Sequence, residues 1–337
     1  METSKPVFII AEAGVNHNGS VEKAIEMIKA AKKAGVDAVK FQTAVPELVM
    51  TKYANKADYQ LQITDKDETQ LEMAKKIHLP LKAYNSLKNE CEKHEIEFMS
   101  TPFDDVSIEM LRKLKLKRYK IPSGEITNLP YMMKMAHIGK PIIMSTGMAT
   151  LEEVQAAMNI LLEAGVQKDQ ITILHCNTEY PTPMEHVHLK AMLTIKDALG
   201  VAIGYSDHTL GIEIPIAAVA MGAAVIEKHF TLDRDLPGPD HTASLEPKEL
   251  KDMVTAIRNI EKAIGEGVKK PSPSEIKNIS LARKSIVAKK FIKKGDELSE
   301  ENLTTKRPGN GLSPMKWDEI MGTQSKKDFN LDELIEL

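Results

Sequence analysis

From Val7 to Gly265 the chain alternates short apolar runs with longer segments whose apolar residues recur at helical spacing. Eight runs read as strands: Val7–Ala11, Ala38–Phe41, Glu97–Ser100, Arg118–Ile121, Pro141–Ser145, Ile171–His175, Val201–Gly204 and Ala224–Lys228. The stretches between them read as helices. Ser20 caps a helix that places Val21, Ala24, Ile25, Ile28 and Ala31 at helical spacing and stops at Gly35. Leu151 to Ala164 repeats that plan and stops at Gly165, and Glu246 to Gly265 closes the series. Eight strand–helix units of this size predict an α/β chain folded as a (β/α)8 TIM barrel, for which about 250 residues is typical. An open doubly wound sheet usually has fewer strands.

Two segments break the rhythm. Val45–Thr69 has few clear periods, and a long connection in a compact domain is more often functional than idle. After Gly265 the stretch GEGVKKPSPSE is rich in Gly, Lys, Pro and Ser and reads as a linker. The expected organisation is a barrel over 1–265, a linker over 266–280 and a small unit over 281–337. That last unit carries short alternating runs at Ser285–Ala288 and Asp328–Leu331, with turn signals at Lys294-Gly295-Asp296 and Pro308-Gly309-Asn310-Gly311.

Composition narrows the classes. The formal net charge is −3, which argues against a partner bound by phosphate neutralisation, such as nucleic acid. Aromatics are 4%, too few for a base-stacking platform. Hydrophobic residues make up 42%, too many for a disordered chain, yet no apolar run approaches the ~18 residues of a membrane span. Two cysteines, Cys91 and Cys176, cannot form a disulfide framework, so a reducing cytoplasm is expected.

The chemistry collects at strand ends. Glu12, Lys40 and Gln42, Thr101, Lys120 with Ser123 and Glu125, Ser145, His175 with Asn177, Thr178 and Tyr180, Ser206 with Asp207 and His208, and Glu227 with Lys228 and His229 each close one of the eight strands. In a barrel these ends converge on one mouth, where catalysis sits. Solvated loop residues account for one or two such positions, not for eight, so the pattern predicts an enzyme. His208 and His229 end adjacent strands, and their rings can approach one point. Two imidazoles with open positions suit a divalent ion such as Mn2+, with Mg2+ or Co2+ also open. His175 also ends a strand, whereas His186, His188 and His241 lie in loops. Lys40 and Lys120 with Thr101, Ser123 and Ser145 form a candidate oxyanion or phosphate cradle. Carboxylates at Glu12, Glu125 and Asp240 suit a polyhydroxylated substrate. No phosphate-loop or dinucleotide motif is present.

These segments resemble a known family. IIAEAGVNHNG (Ile9 to Gly19), VKFQT (Val39 to Thr43), STPFD (Ser100 to Asp104), KIPSGEITNLP (Lys120 to Pro130), STGM (Ser145 to Met148), EYPTP (Glu179 to Pro183), GYSDHT (Gly204 to Thr209), EKHFTLD (Glu227 to Asp233), GPDH (Gly238 to His241) and KRPGNG (Lys306 to Gly311) run in the order of the sialic-acid synthases. ITNLP, SLEP (Ser244 to Pro247) and LTTKRP (Leu303 to Pro308) are most like the legionaminate branch, with N-acetylneuraminate synthesis as the alternative.

The resemblance implies a (β/α)8 barrel, a C-terminal antifreeze-like (SAF) domain and a domain-swapped homodimer. It implies condensation of phosphoenolpyruvate with an N-acetylated mannosamine-type sugar to a nine-carbon 2-keto acid, with release of phosphate. By matched motif, His208 and His229 hold the metal. Lys40, Thr101, Lys120, Ser123, Ser145, Asn177 and Thr178 hold phosphoenolpyruvate. Glu12, Gln42, Phe103, Tyr180, Asp240 and a partner-derived Arg307 contact the sugar, and Glu12 and Glu125 serve the chemistry. One departure is the order Asn177-Thr178, where relatives often read the reverse. Competing readings are a different barrel aldolase, a metal-dependent hydrolase, or a sugar-phosphate sensor that binds without turnover.

Overall fold

The computed structural model describes residues 5–57, 61 and 67–336. Part of the expected long connection, 58–60 and 62–66, lies outside the described residues. The chain divides into two compact units, Met1–Gly265 and Glu266–Leu337.

Among the described residues the first unit holds eight strands: β1 (Phe8–Gly14), β2 (Ala38–Thr43), β3 (Glu97–Pro102), β4 (Tyr119–Ile121), β5 (Ile142–Ser145), β6 (Ile171–His175), β7 (Ala202–Asp207) and β8 (Val225–His229). They neighbour one another in the order β3-β2-β1-β8-β7-β6-β5-β4, through parallel ladders. β3 and β4 touch, so the sheet closes on itself as the expected barrel. The helix Val21–Ala34 starts where the Ser20 side chain accepts the Lys23 N–H and stops at Gly35, whose φ of 88° suits glycine. Leu151–Glu163 starts in a capping box between Thr150 and Glu153. Among the described residues no helix is long and apolar enough to cross a membrane.

β1, β2, β3 and β7 run two or three residues past the apolar runs that announce them. The inward-facing residues among them, Glu12, Gln42, Thr101 and Ser206, are polar, so apolar patterning stops before the ladders do. Successive inward positions along a strand are two residues apart. The deepest inward layer is apolar: Ile10, Ala38, Met99, Ile143, Leu174 and Val225 form a cluster of their own. In β7 the matching position is Gly204. A Cβ there would stand 2.2 Å from the Val225 carbonyl oxygen and 2.6 Å from Leu174 Cδ2, so a side chain would force the strands apart. Two residues further along the same strands stand Glu12, Lys40, Thr101, Ser145, Cys176, Ser206 and Glu227. The apolar layer is therefore a plug beneath a polar one.

The opposite faces of β7 and β8 carry a second buried ion pair. Lys228 Nζ lies 2.5 Å from Asp207 Oδ2, and neither side chain is exposed. Lys228 also donates to the Thr209 carbonyl, and the Asp207 carboxylate accepts the Thr209 N–H and hydroxyl. Asp207 and Lys228 immediately precede His208 and His229.

The second unit is small. β9 (Ser285–Ala288) pairs antiparallel with β10 (Leu303–Lys306) over a core of Ile286, Ala288, Ile292, Leu298, Leu303, Ile320, Phe329 and Ile335. Of the two alternating runs, Ser285–Ala288 is β9, whereas Asp328–Leu331 makes one isolated bridge, Phe329 to Ile292. The segment expected as linker contains a helix, Pro273–Ala282, started by Ser272 and Glu275 in a capping box. The Pro and Ser that read as linker composition are the helix's first residues and cap.

Replacing Lys228 with Met leaves the Asp207 carboxylate buried without its cation. Urea denaturation of Lys228→Met is expected to show a loss of roughly 3–5 kcal/mol, with most of it regained when Asp207→Asn is added. An unchanged midpoint for the single variant would show that the pair does not hold these strand ends.

Candidate active site

A pocket of about 180 Å³ opens at the C-terminal ends of the strands. A larger cavity, about 560 Å³, lies at the opposite ends, but none of the ionisable side chains lining it is buried. Chemistry needs groups taken out of water, so the smaller pocket is the candidate site.

Its base is an array of four buried charges. Lys40 Nζ lies 2.7 Å from Glu12 Oε2 and 3.6 Å from Glu227 Oε1, and 3.1 Å from the Thr101 hydroxyl. Lys120 Nζ reaches both Glu227 oxygens, at 2.9 and 3.1 Å. Ser206 donates to Glu227 Oε1 at 3.0 Å. All four charged residues are at most 3% exposed. Burial would push the Glu227 carboxyl up, but Lys120 and Lys40 overcome it and hold the group well below the usual range. Burial raises the Glu12 carboxyl to about 7 against the pull of Lys40. Burial lowers Lys120, while Lys40 is held above the usual lysine value because Glu12 and Glu227 outweigh the same effect. The array therefore combines a fixed anion with a carboxyl able to exchange a proton near neutrality.

Beside the lysines are hydrogen-bonding groups with capacity to spare. The buried Ser145 hydroxyl has no partner among the described residues. Ser123 Oγ accepts the Gly147 N–H at 2.9 Å and lies 3.3 Å from Cys176 Sγ.

Above this layer stand the two imidazoles, with ring centroids 5.4 Å apart. His208 Nδ1 bonds the Asn177 carbonyl, which leaves Nε2 as an acceptor, 3.1 Å from the Tyr180 hydroxyl. The Tyr180 ring stacks on His208, centroids 4.1 Å apart. His229 Nδ1 is buried without a hydrogen bond, 3.9 Å from Asp240 Oδ2. Burial lowers His208 to about 4 and His229 well below its ordinary value. Both rings are therefore neutral, the state that ligates metal. Donation from the other ring nitrogen to a carbonyl is the usual outer support of a ligating histidine. Among the described residues no set of three or more His, Cys, Asp or Glu surrounds a common point. Two neutral imidazoles, one with its Nδ1 unspent, are donors of the type that a divalent ion takes.

The pocket lining brings together Glu12, Lys40, Gln42, Thr101, Phe103, Lys120, Ser123, Ser145, Thr178, Tyr180, His208 and His229. Other expected residues stand elsewhere. Asn177 turns its side chain away, accepting the Glu179 N–H at 2.7 Å, and contributes its carbonyl to His208. Asp240, raised by burial to about 6, lines an adjoining chamber. Glu125 sits half-buried in a short 3-10 turn, tied to Asn128 Nδ2 at 2.6 Å, and does not line the pocket. Arg307 belongs to the second unit, exposed, with Nε donating to the Ala282 carbonyl. His175 faces away from the pocket, bonded to the Val187 carbonyl. Glu227, Ser206 and Cys176 line the pocket although the motifs gave them no role. Counting in twos from Val225 to Glu227 to His229 would have found the first.

A barrel with this mouth defines a class, and comparison supplies the family. The chain belongs to the NeuB family, matched over residues 27–269, and carries a SAF domain over residues 283–336. It is 55% identical over 98% of its length to N,N'-diacetyllegionaminic acid synthase of Campylobacter jejuni subsp. jejuni serotype O:2, covering 99% of that protein. It is 46% identical to the protein of that name from Legionella pneumophila, covering 96% of this chain and 91% of the other. Among solved structures, N-acetylneuraminic acid (sialic acid) synthetase from Leptospira borgpetersenii serovar Hardjo-bovis superposes with a TM-score of 0.71 at 36% identity, covering 82% of this chain and 90% of that one.

Glu227→Gln removes the anion between two ammonium groups. Scanning fluorimetry is expected to show a lower melting temperature, from a loss of roughly 3–5 kcal/mol. Inorganic phosphate should raise the variant's melting temperature more than the wild type's, because an added anion takes over the neutralisation. Equal shifts in the two proteins would mean that the lysines do not face an anion site.

Proposed function

We propose that this chain joins phosphoenolpyruvate to 2,4-diacetamido-2,4,6-trideoxymannose, giving N,N'-diacetyllegionaminate and inorganic phosphate. The carrying observation is one pocket that holds two buried lysines beneath two neutral imidazoles, in a chain 55% identical to a protein of that activity. Lysines and unspent hydroxyls suit the phosphate and carboxylate of phosphoenolpyruvate, and Gln42, Phe103, Tyr180 and Asp240 suit the sugar.

In this reading the new bond forms between C3 of phosphoenolpyruvate and the aldehyde carbon of the open sugar. Water adds at C2, and the bond from C2 to the phosphate oxygen then breaks. Lys40 and Lys120, with Thr101, Ser123, Ser145 and Thr178, bind the anion and balance the charge that leaves with phosphate. Holding both substrates in one mouth replaces a bimolecular encounter with a local one. Glu12, near neutrality, gives its proton to the oxygen of the former aldehyde, and the carboxylate so formed takes a proton that the adding water sheds; Glu125, on the turn that supplies Ser123 and Gly124, joins in that step by turning from Asn128 into the mouth. A divalent cation held by His208 and His229, Mn2+ in first place, would supply Lewis-acid polarisation of the aldehyde oxygen. Asn177 positions His208 through its carbonyl. Arg307 acts from the second unit of a partner in a domain-swapped homodimer. The two free, buried cysteines suit a cytoplasmic enzyme.

Mass spectrometry of a reaction offered both this sugar and N-acetylmannosamine with phosphoenolpyruvate is expected to show the diacetamido nine-carbon acid as main product, with stoichiometric phosphate. A product from N-acetylmannosamine alone would move the assignment to N-acetylneuraminate synthesis. His229→Ala should weaken Mn2+ binding on the order of a hundredfold or more by calorimetry, and unchanged binding would remove the histidines from the metal site. Cutting the chain after Gly265 should leave a folded barrel with little activity, and full activity in that monomer would exclude a role for Arg307.

A further inference from the structure

Off the side of the pocket opens a second chamber of about 150 Å³, and the two share Gln42 and Tyr180. The motifs assign no role to most of its lining. Met50, Met73, Ala74, Ile77 and Pro239 bring apolar atoms to its lining, and Gln42, Gln70, His78 and Asp240 bring polar ones. Gln70, Met73, Ala74 and Ile77 share one face of the helix Gln70–Ile77, which follows the long connection after β2, so polar and apolar groups alternate along that face. Among the described residues His78 Nδ1, which is buried, has no hydrogen-bond partner. Asp240 is also buried, and its nearest ionisable contact is His229 at 3.9 Å.

A chamber that mixes apolar and polar groups matches a substituent that does the same. An acetamido group has a methyl for the methionine and isoleucine side chains, and an N–H and a carbonyl for the amides and the imidazole. A methyl at C6 needs apolar contact alone. Unbranched methionine side chains adapt to such shapes. A hydroxyl turned toward the methionines would lose its water without gaining a partner. The sugar's aldehyde end must lie by the imidazoles and lysines, so the far end of the same molecule points past Gln42 and Tyr180.

We infer that this chamber receives the C4–C6 end of the sugar and sets the preference for a 4-acetamido-6-deoxy sugar over N-acetylmannosamine. Met73, Ala74 and Ile77, which line it from one helix face, are the specificity-determining residues. The inference rests on the proposed function and deepens it. It excludes the C2 acetamido group, which both sugars carry, as the occupant.

The test measures kcat/KM for both sugars at saturating phosphoenolpyruvate, in wild type, Met73→Gln and Ala74→Val. In Met73→Gln the ratio favouring the diacetamido sugar is expected to fall about tenfold or more, with the KM for phosphoenolpyruvate unchanged. Ala74→Val, which adds bulk to the chamber lining, should lower turnover of the diacetamido sugar more than that of N-acetylmannosamine. A ratio unchanged in both variants, or an equal fall for both sugars, would overturn the inference. Wild-type protein with ¹³C-labelled methionine methyls gives a second reading that no folding defect can spoil. Filtered nuclear Overhauser contacts are expected from the assigned Met50 and Met73 methyls to the C6 methyl or C4 acetyl of the bound sugar, and contacts from Met148 alone or to the C2 acetyl alone would also overturn it. A wild-type enzyme that turned over neither sugar would instead remove the proposed function.

Discussion

Four buried charges set the terms for the rest of this barrel. Removing an ion from water costs several kcal/mol even after relaxation, so Glu12, Lys40, Lys120 and Glu227 persist only as a mutually neutralising set. Neutrality alone would make the array inert. Its asymmetry gives it chemistry: Glu227 contacts both lysines, whereas Glu12 is salt-bridged to one and sits near pH 7. An entering dianion can share the lysines with Glu227 and shift the Glu12 proton balance as it does so. The apolar plug of Ile10, Ala38, Met99, Ile143, Leu174 and Val225 closes the layer from below, so the lysines can turn only toward the mouth.

The same alternation that sorts plug from ions also supports the imidazoles. Residues adjacent in a strand face opposite ways, so His208 and His229 face the mouth while Asp207 and Lys228 meet behind them. That pair ties the ends of β7 and β8 at the level where the rings stand. The Asn177 carbonyl then selects the tautomer of His208. Position and protonation of one ring are thus decided by groups that never reach the pocket.

The barrel was legible because its two signals are long-range and redundant: eight apolar runs and helices with recognisable stops such as Gly35 and Gly165. Strand ends were less legible, because apolar patterning stops where the inward face becomes polar, as at Glu12 and Ser206. Residue types at the strand ends located the mouth, but adjacent polar residues could not be told apart by type. Glu227 and Lys228 are neighbours of opposite sign. Only the inward register of Val225 shows that the carboxylate enters the pocket and the ammonium leaves it. Asn177 and Thr178 pose the same problem, and the turn after β6 resolves it by directing the Asn177 side chain to the Glu179 N–H. In the second unit the signals were too short: a single bridge at Phe329 and a capped helix at Pro273–Ala282 both lie below what periodicity resolves.

The chemistry and the choice of sugar draw on different parts of the fold. Glu12, Lys40, Lys120, Glu227 and the two histidines stand on or at the ends of strands, where register fixes each inward position and a change of residue disturbs several charges at once. The side chamber takes Gln70, Met73, Ala74 and Ile77 from the helix Gln70–Ile77 and Met50 from the connection before it, none of them part of that ion layer. A substitution at Met73 or Ala74 can reshape that chamber while the ion layer keeps its neutral balance. A barrel built this way can acquire a different sugar through one helix face without rebuilding the pocket in which carbon–carbon bond formation is proposed. For that reason likeness at the strand ends speaks to the reaction, and the identity of residues 50, 73, 74 and 77 speaks to the substrate.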